Sequence, residues 1–137
     1  MVHGRSITVS SNGFSDIVNV SGEVRSIVSE SGIEEGLVAV TVTGSTASVT
    51  TIEYEPALVE DMKELLEKLV SREIRSRHSE TWGDDNGFSH MRASLMGPGV
   101  TLPVSEGRVL TGTWQQIVLV DHDNRPRKRE MRVTVVG

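Results

Sequence analysis

Five residues able to do acid–base, hydrogen-bonding or metal chemistry, His78, Asp84, Asp85, Asn86 and His90, fall within thirteen positions of the 137-residue chain. Imidazole changes charge near neutral pH and is a common metal ligand. Glycines at 83 and 87 mark the stretch as a loop that could aim such groups at a substrate. Arg127 and Arg129 alternate toward Met131, Val133 and Val135, so guanidinium groups lead into an apolar strand face, where forked hydrogen bonds suit a phosphate or carboxylate. Ser45 and Thr46 could add hydroxyls to such an anion site. Glu53 ends a mostly apolar parity of "STASVTTIEY", an unusual place for a carboxylate. In "GTWQQ", Gln115 offers an amide beside an indole.

Each residue also suits a plainer role. Arginines beside a turn are usually solvated, a carboxylate can cap a helix or pair with an arginine, and a strand histidine often faces water. The amides of "GTWQQ" can satisfy a sheet end.

Secondary structure must decide which of these groups meet. "SITVS" and "FSDIVNV" read as strands joined by an "SNG" turn. A helix follows, capped by Ser21, with Val24, Ile27 and Val28 inward and Gly32 at its end. "GLVAVTVT" and "STASVTTIEY" are dense in β-branched residues and are expected to be neighbours in one sheet. A second helix starts at Pro56 and carries Leu58, Met62, Leu65, Leu66, Leu69 and Val70 as an apolar stripe. Beyond it, "FSHMRASLM", "VTLPV", "GRVLTG", "WQQIVLVD" and "RKREMRVTVV" read as short strands with no third helical pattern. On "FSHMRASLM" that reading projects His90, Arg92 and Ser94 from one face, His90 and Arg92 about 6–7 Å apart. The expectation is therefore an α+β fold, a mixed, largely antiparallel sheet covered by two helices, in a single compact domain over residues 1–137.

Composition narrows the function. The content is 36% hydrophobic and 24% charged, which is globular, and no apolar run approaches a bilayer's span. A net charge of −5 and scattered aromatic residues argue against nucleic acid and against an anionic membrane. The N-terminus lacks a signal-peptide core, so a cytoplasmic location is expected. Without cysteine there is no disulfide, thiolate nucleophile or cysteine-based zinc site. The chain has no phosphate loop, dinucleotide fingerprint, zinc-protease helix or nucleophile elbow.

The segments "SGIEEGLVAV", "GSTASVTTIEYEPALVEDM", "DDNGFSHMRASLMGPG", "GTWQQIVLVDHDNRPRKRE" and "VTVVG" resemble, in that order and nearly end to end, the YjbQ family of uncharacterised proteins. The resemblance implies a compact α+β subunit assembled as a homotrimer. For activity it implies a transferase of thiamine-phosphate synthase type, in which a thiazole nitrogen displaces pyrophosphate from a pyrimidine methylene. His78, Asn86, His90, Glu53 and Gly112–Gln115 match family positions. Many relatives carry histidine where this chain has Gly44, and some carry a second histidine where it has Phe88.

Two readings follow. In the first the protein is an enzyme acting on a phosphorylated small molecule: His90, Asn86 and Glu53 are catalytic, and Ser45, Thr46, Arg92, Gln115, Arg127 and Arg129 bind substrate or phosphate. His78 and His90 are the candidate ligands of a divalent metal, magnesium or zinc, although Gly44 removes a third imidazole. In the second the protein is a non-catalytic homotrimer that binds a metal or an anion.

Overall fold

A computed structural model describes residues 1–137. Its elements in chain order are β1 (Val2–Ser11), β2 (Asp16–Asn19), α1 (Ser21–Ser31), β3 (Gly36–Val42), β4 (Ala47–Glu53), α2 (Pro56–Leu69), α3 (Arg77–Trp82), α4 (Gly87–Met96), β5 (Gly99–Ser105), β6 (Arg108–Val109), β7 (Gln115–Asp121) and β8 (Arg127–Val136). The strands form two sheets, ordered β1-β8-β3-β5-β6 and β2-β7-β4. Every pairing is antiparallel. The α+β class is as expected, with two sheets where one was read and four helices where two were read. No helix is long and apolar enough to cross a membrane.

Both sheets and α1 contribute to one core that includes Val38, Val40, Leu119, Met131 and Val133. A smaller cluster on the other face of the three-stranded sheet joins Ile17, Val118 and Val120 to Val59 and Met62 of α2 and Met96 of α4. Strand β7 therefore separates two apolar layers, which explains why Ile117–Val120 is an unbroken apolar run.

Several local expectations are corrected. Strands β1 and β2 lie in different sheets, as do β3 and β4, and also β7 and β8. A tight hairpin between β1 and β2 is replaced by a bend in which Gly13, Phe14 and Ser15 all have positive φ. Ser21 is the first residue of α1 rather than its cap, and its Oγ accepts instead from the Ile117 amide at 2.8 Å. Gly32 does end α1 in the left-handed conformation. Helix α2 begins at Pro56, capped by the Glu55 carboxylate, which accepts from the Ala57 and Leu58 amides. Its apolar stripe is wider than its subunit uses: Leu66 is buried, whereas Leu65 and Leu69 are exposed.

The largest correction concerns "FSHMRASLM", which is helix α4. Met, Arg, Ala and Leu are good helix formers, and the buried positions Phe88, Ser89, Arg92 and Ala93 recur at the three- and four-residue intervals of a helix face. His90 and Arg92, two positions apart on a helix, cannot share a face.

Gly13 shows how tightly the β1–β2 bend is built. Its φ is +74°, and a Cβ there would fall 2.5 Å from the Arg125 carbonyl oxygen and 2.6 Å from that of Asp123. Gly13→Ala is expected to lower stability by about 2 kcal/mol or more through strain and backbone displacement. A thermal midpoint within one degree of the parent's would contradict this.

Candidate functional site

Two polar assemblies occupy the region, one open and one buried. The open one is a groove of about 480 Å³ between α3 and α4, lined by Arg75, Ser76, Arg77, His78, Glu80 and His90 among others. The Ser76 hydroxyl caps α3 by accepting from the Ser79 amide at 3.0 Å. Gly87 opens α4 directly against that cap: a Cβ there would lie 2.1 Å from Ser76 Oγ. This close approach brings the His78 and His90 rings to 4.5 Å between centroids, tilted by 45°. His78 Nδ1 faces Asp84 Oδ1 at 3.5 Å without making a hydrogen bond and has no other partner. Arg75 pairs with Glu80 at 2.6 Å, while Arg77 has no ion-pair partner.

Asn86 immediately precedes α4. Its side-chain oxygen accepts from Ser89 Oγ, and its amide donates to Asp84 Oδ1. Asn86 is thus committed to holding the start of α4 rather than turned toward a substrate.

Beneath the groove lies the buried assembly, reached through Arg92. Arg92 does not accompany His90 outward. It is 2% exposed, donates twice to the Val70 carbonyl at the end of α2, reaches Ser15 Oγ at 3.0 Å, and pairs with Glu67 at 2.8 Å. Its guanidinium also stacks 5.0 Å from the Phe88 ring centre. Ser15 Oγ lies 2.8 Å from His122 Nδ1, and His122 Nε2 lies 3.2 Å from Ser48 Oγ, which itself donates to the Ala93 carbonyl. The bonds point one way, so His122 carries its proton on Nε2. Burial first, then the Arg92 and Arg129 charges, push His122 down to about 4, against the opposing pull of Asp121.

Arg129 and Arg127 belong to the same interior. Arg129 grips Asp121 through Nε and Nη2, both at 2.8 Å, and donates from Nη2 to Thr46 Oγ1. Thr46 Oγ1 donates in turn to Asp123, which also takes Arg127 Nε at 3.0 Å. Burial opposes ionisation of Asp121, but hydrogen bonds from Arg129, Ser11 and the Asp123 amide outweigh it and hold the carboxyl below its usual range. The expected inward phase of Arg127 and Arg129 is present, yet carboxylates of this chain occupy the guanidinium groups expected to meet phosphate.

The remaining sequence candidates are dispersed. Ser45 is exposed beside buried Thr46. Gln115 spends its amide on the Gly112 nitrogen and Thr51 Oγ1, at the end of β7. Glu53, paired in register with Gln115, is exposed at the far end of β4 and separated from His90 by the length of α2, on the order of 20 Å. Sequence reasoning missed Arg75, Ser76 and Arg77, and also the Asp121-His122-Asp123 run. The second had a signal, since Asp121 shares strand parity with Ile117 and Leu119.

The family described as UPF0047 protein YjbQ-like matches residues 5–137. The chain belongs to the YjbQ-like UPF0047 family. A UPF0047 protein of Methanothermobacter thermautotrophicus is 34% identical over 122 residues, covering 89% of this chain and 83% of that protein. One from Mycobacterium tuberculosis is 36% identical over 121 residues, 88% of each. Among solved structures, a YbjQ-like protein of unknown function from Sulfolobus solfataricus superposes with a TM-score of 0.94 at 31% identity, covering 100% of this chain and 98% of its own. A hypothetical protein from Aeropyrum pernix gives 0.90 at 31%, covering 98% of each chain. These UPF0047 likenesses fix family and fold and bring no activity with them.

A metal fits the UPF0047 groove of one chain poorly. Zinc takes about four ligands, and no group of three or more His, Asp or Glu residues is arranged to hold an ion. His78 and His90 supply two nitrogens, so no chemical step is assigned to a metal here.

Proposed function

We propose that the α3–α4 groove binds a phosphorylated small molecule, with Arg77 holding phosphate oxygens and His90, beside His78, exchanging a proton with the bound molecule. The observation that carries this reading is the pair of imidazoles 4.5 Å apart in an open groove that also holds an unpaired guanidinium. Arg77 and Arg75 take the place expected of Arg127 and Arg129, because they alone of these four lie in the groove. Asn86 positions α4, and Arg92 anchors it from inside.

The finer reading is transfer with loss of pyrophosphate: a thiazole nitrogen forms a bond to a pyrimidine methylene while the carbon–oxygen bond to pyrophosphate breaks. Such a step needs charge stabilisation on the departing oxygens more than a strong base. A second reading, anion binding without turnover, is favoured by His90 itself, whose ring makes no hydrogen bond to an orienting group in its own subunit.

Calorimetric titration with inorganic pyrophosphate tests the binding claim. Arg77→Ala is expected to weaken it about tenfold, roughly 1.4 kcal/mol, and His90→Ala by a similar factor, whereas Ser45→Ala, outside the groove, leaves it unchanged. Equal affinities for the parent protein, Arg77→Ala and His90→Ala would remove the groove from the function. Binding without product from pyrimidine pyrophosphate and thiazole phosphate would select the second reading.

A further inference from the structure

A hollow of about 520 Å³ lies between helix α1 and the β5–β6 hairpin and shares no residue with the α3–α4 groove. Its apolar lining is Val28, Ile33 and Val109. Beside these stand Arg25, Glu34, Glu106 and Arg108, two guanidinium groups and two carboxylates. None of the four takes part in an ion pair, with one another or with any other residue. Opposite charges that share a hollow and leave one another unpaired remain available to a ligand, and the volume is within the range of small-molecule sites, about 300–1,000 Å³.

The hairpin wall is firmly built. Glu106 and Gly107 are the central residues of its turn, with φ of +51° and +72°, between the paired Ser105 and Arg108. Positive φ at both positions suits Asn, Asp or Gly and costs a glutamate backbone energy, so Glu106 is held where its backbone alone does not favour it. The turn is tied to the segment after α1: the Gly107 amide donates to the Glu34 carbonyl at 3.0 Å, and Ser105 Oγ and the Glu106 amide donate to Glu35 Oε1 at 2.8 and 3.0 Å. A Cβ on Gly107 would lie 3.6 Å from Glu34 Oε1, which sets that carboxylate against the turn. Glu35 is spent on the tie, and Glu34 is not. The last turn of α1 carries no basic residue, so Glu34 and the closing carbonyls of the helix make one negative end. Arg25, about two turns before Gly32 on the same helix, and Arg108 on the hairpin supply the positive groups.

We propose that this hollow binds a zwitterion of the amino-acid class, its carboxylate held by Arg25 and Arg108, its ammonium by Glu34 and Glu106, and its short aliphatic side chain laid on Val28, Ile33 and Val109. A simple anion would meet two carboxylates beside its guanidinium partners, and a simple cation would meet two guanidinium groups. Only a ligand of both signs satisfies all four. A free amino acid and a short peptide offer the same groups.

The test titrates the isotope-labelled protein with L-leucine, leucyl-leucine, isocaproate, which lacks the ammonium, and isoamylamine, which lacks the carboxylate. Saturable shifts of the Glu34, Gly107 and Arg108 amides are expected with a zwitterion at millimolar concentration, and the tighter of the two zwitterions identifies amino acid or peptide as the source. Isocaproate and isoamylamine should each bind at least tenfold more weakly. Arg25→Gln and Glu34→Gln, both at exposed positions, should each weaken the preferred zwitterion by about tenfold. Absence of saturable shifts with both zwitterions overturns the inference. Isocaproate binding as tightly as L-leucine would make the hollow a plain anion site, and isoamylamine doing so would make it a plain cation site; either result sinks the proposal, as would affinities unchanged in both variants.

Discussion

Replacing Arg129 with methionine is expected to cost about 3–5 kcal/mol of stability, the range for leaving a buried charge without its partner. Arg129 holds Asp121 by two bonds of 2.8 Å and lies 3.5 Å from Asp123, and these carboxylates are 0% and 1% exposed. Methionine fills much of the volume but supplies no donor. Asp121 would keep only Ser11 Oγ and the Asp123 amide. Urea unfolding gives the measurement. Adding Asp121→Asn to Arg129→Met should recover a substantial part of the loss, since the amide has no charge to strand. Arg127→Ala should cost less, about 1 kcal/mol, because its side chain is 36% exposed. A loss below about 1 kcal/mol for Arg129→Met would mean that the interior is wet enough to solvate Asp121, and the account of a closed network would fail.

Acid is expected to weaken the fold well before the carboxylates titrate. His122, fully buried between Ser15 and Ser48, is held near 4 against an ordinary value of 6.5. Unfolded chains therefore bind more protons than folded ones between those limits. The contribution is complete above pH 6.5 and is lost as pH falls toward 4, for a total of about 3 kcal/mol. Asp121 and Asp123 are held below their ordinary 3.8, so their contribution disappears only at more acid pH. Stability measured at several pH values between 7 and 4 should fall steadily, and the slope should flatten in His122→Asn. An NMR titration placing the His122 midpoint above 6 would refute the dry, hydroxyl-bonded environment.

The sequence was readable where a residue's neighbours along the chain determine its surroundings. Pro56 opens α2 because a missing amide costs nothing in the first turn, and Gly32 ends α1 because it enters the left-handed region freely. The alternation from Arg127 to Val135 carried through to β8 because strand parity is local. Reading "FSHMRASLM" as a strand failed because its small and polar inward residues, Ser89 and Ala93, give a weak helical period. Its one large buried cation, Arg92, is accommodated only by partners from α2 and the β1–β2 bend.

The same distinction separates the two polar assemblies. The sequence by itself determined the α+β class, the family, the presence of imidazole and guanidinium groups, and the absence of thiol chemistry. Tertiary structure alone decided which arginines are free: Asp121 of one sheet meets Arg129 of the other, and Asp123, in the connection between β7 and β8, meets Arg127 four residues on, so both guanidinium groups are neutralised by this chain's own carboxylates. It also decided that His78 and His90 adjoin while Glu53 stays remote: contacts between α3 and α4 depend on the room left at Gly87, whereas Glu53 lies on the far side of a rigid fourteen-residue helix. Burial and long-range pairing are properties of how elements pack, and no local pattern of residue types encodes them.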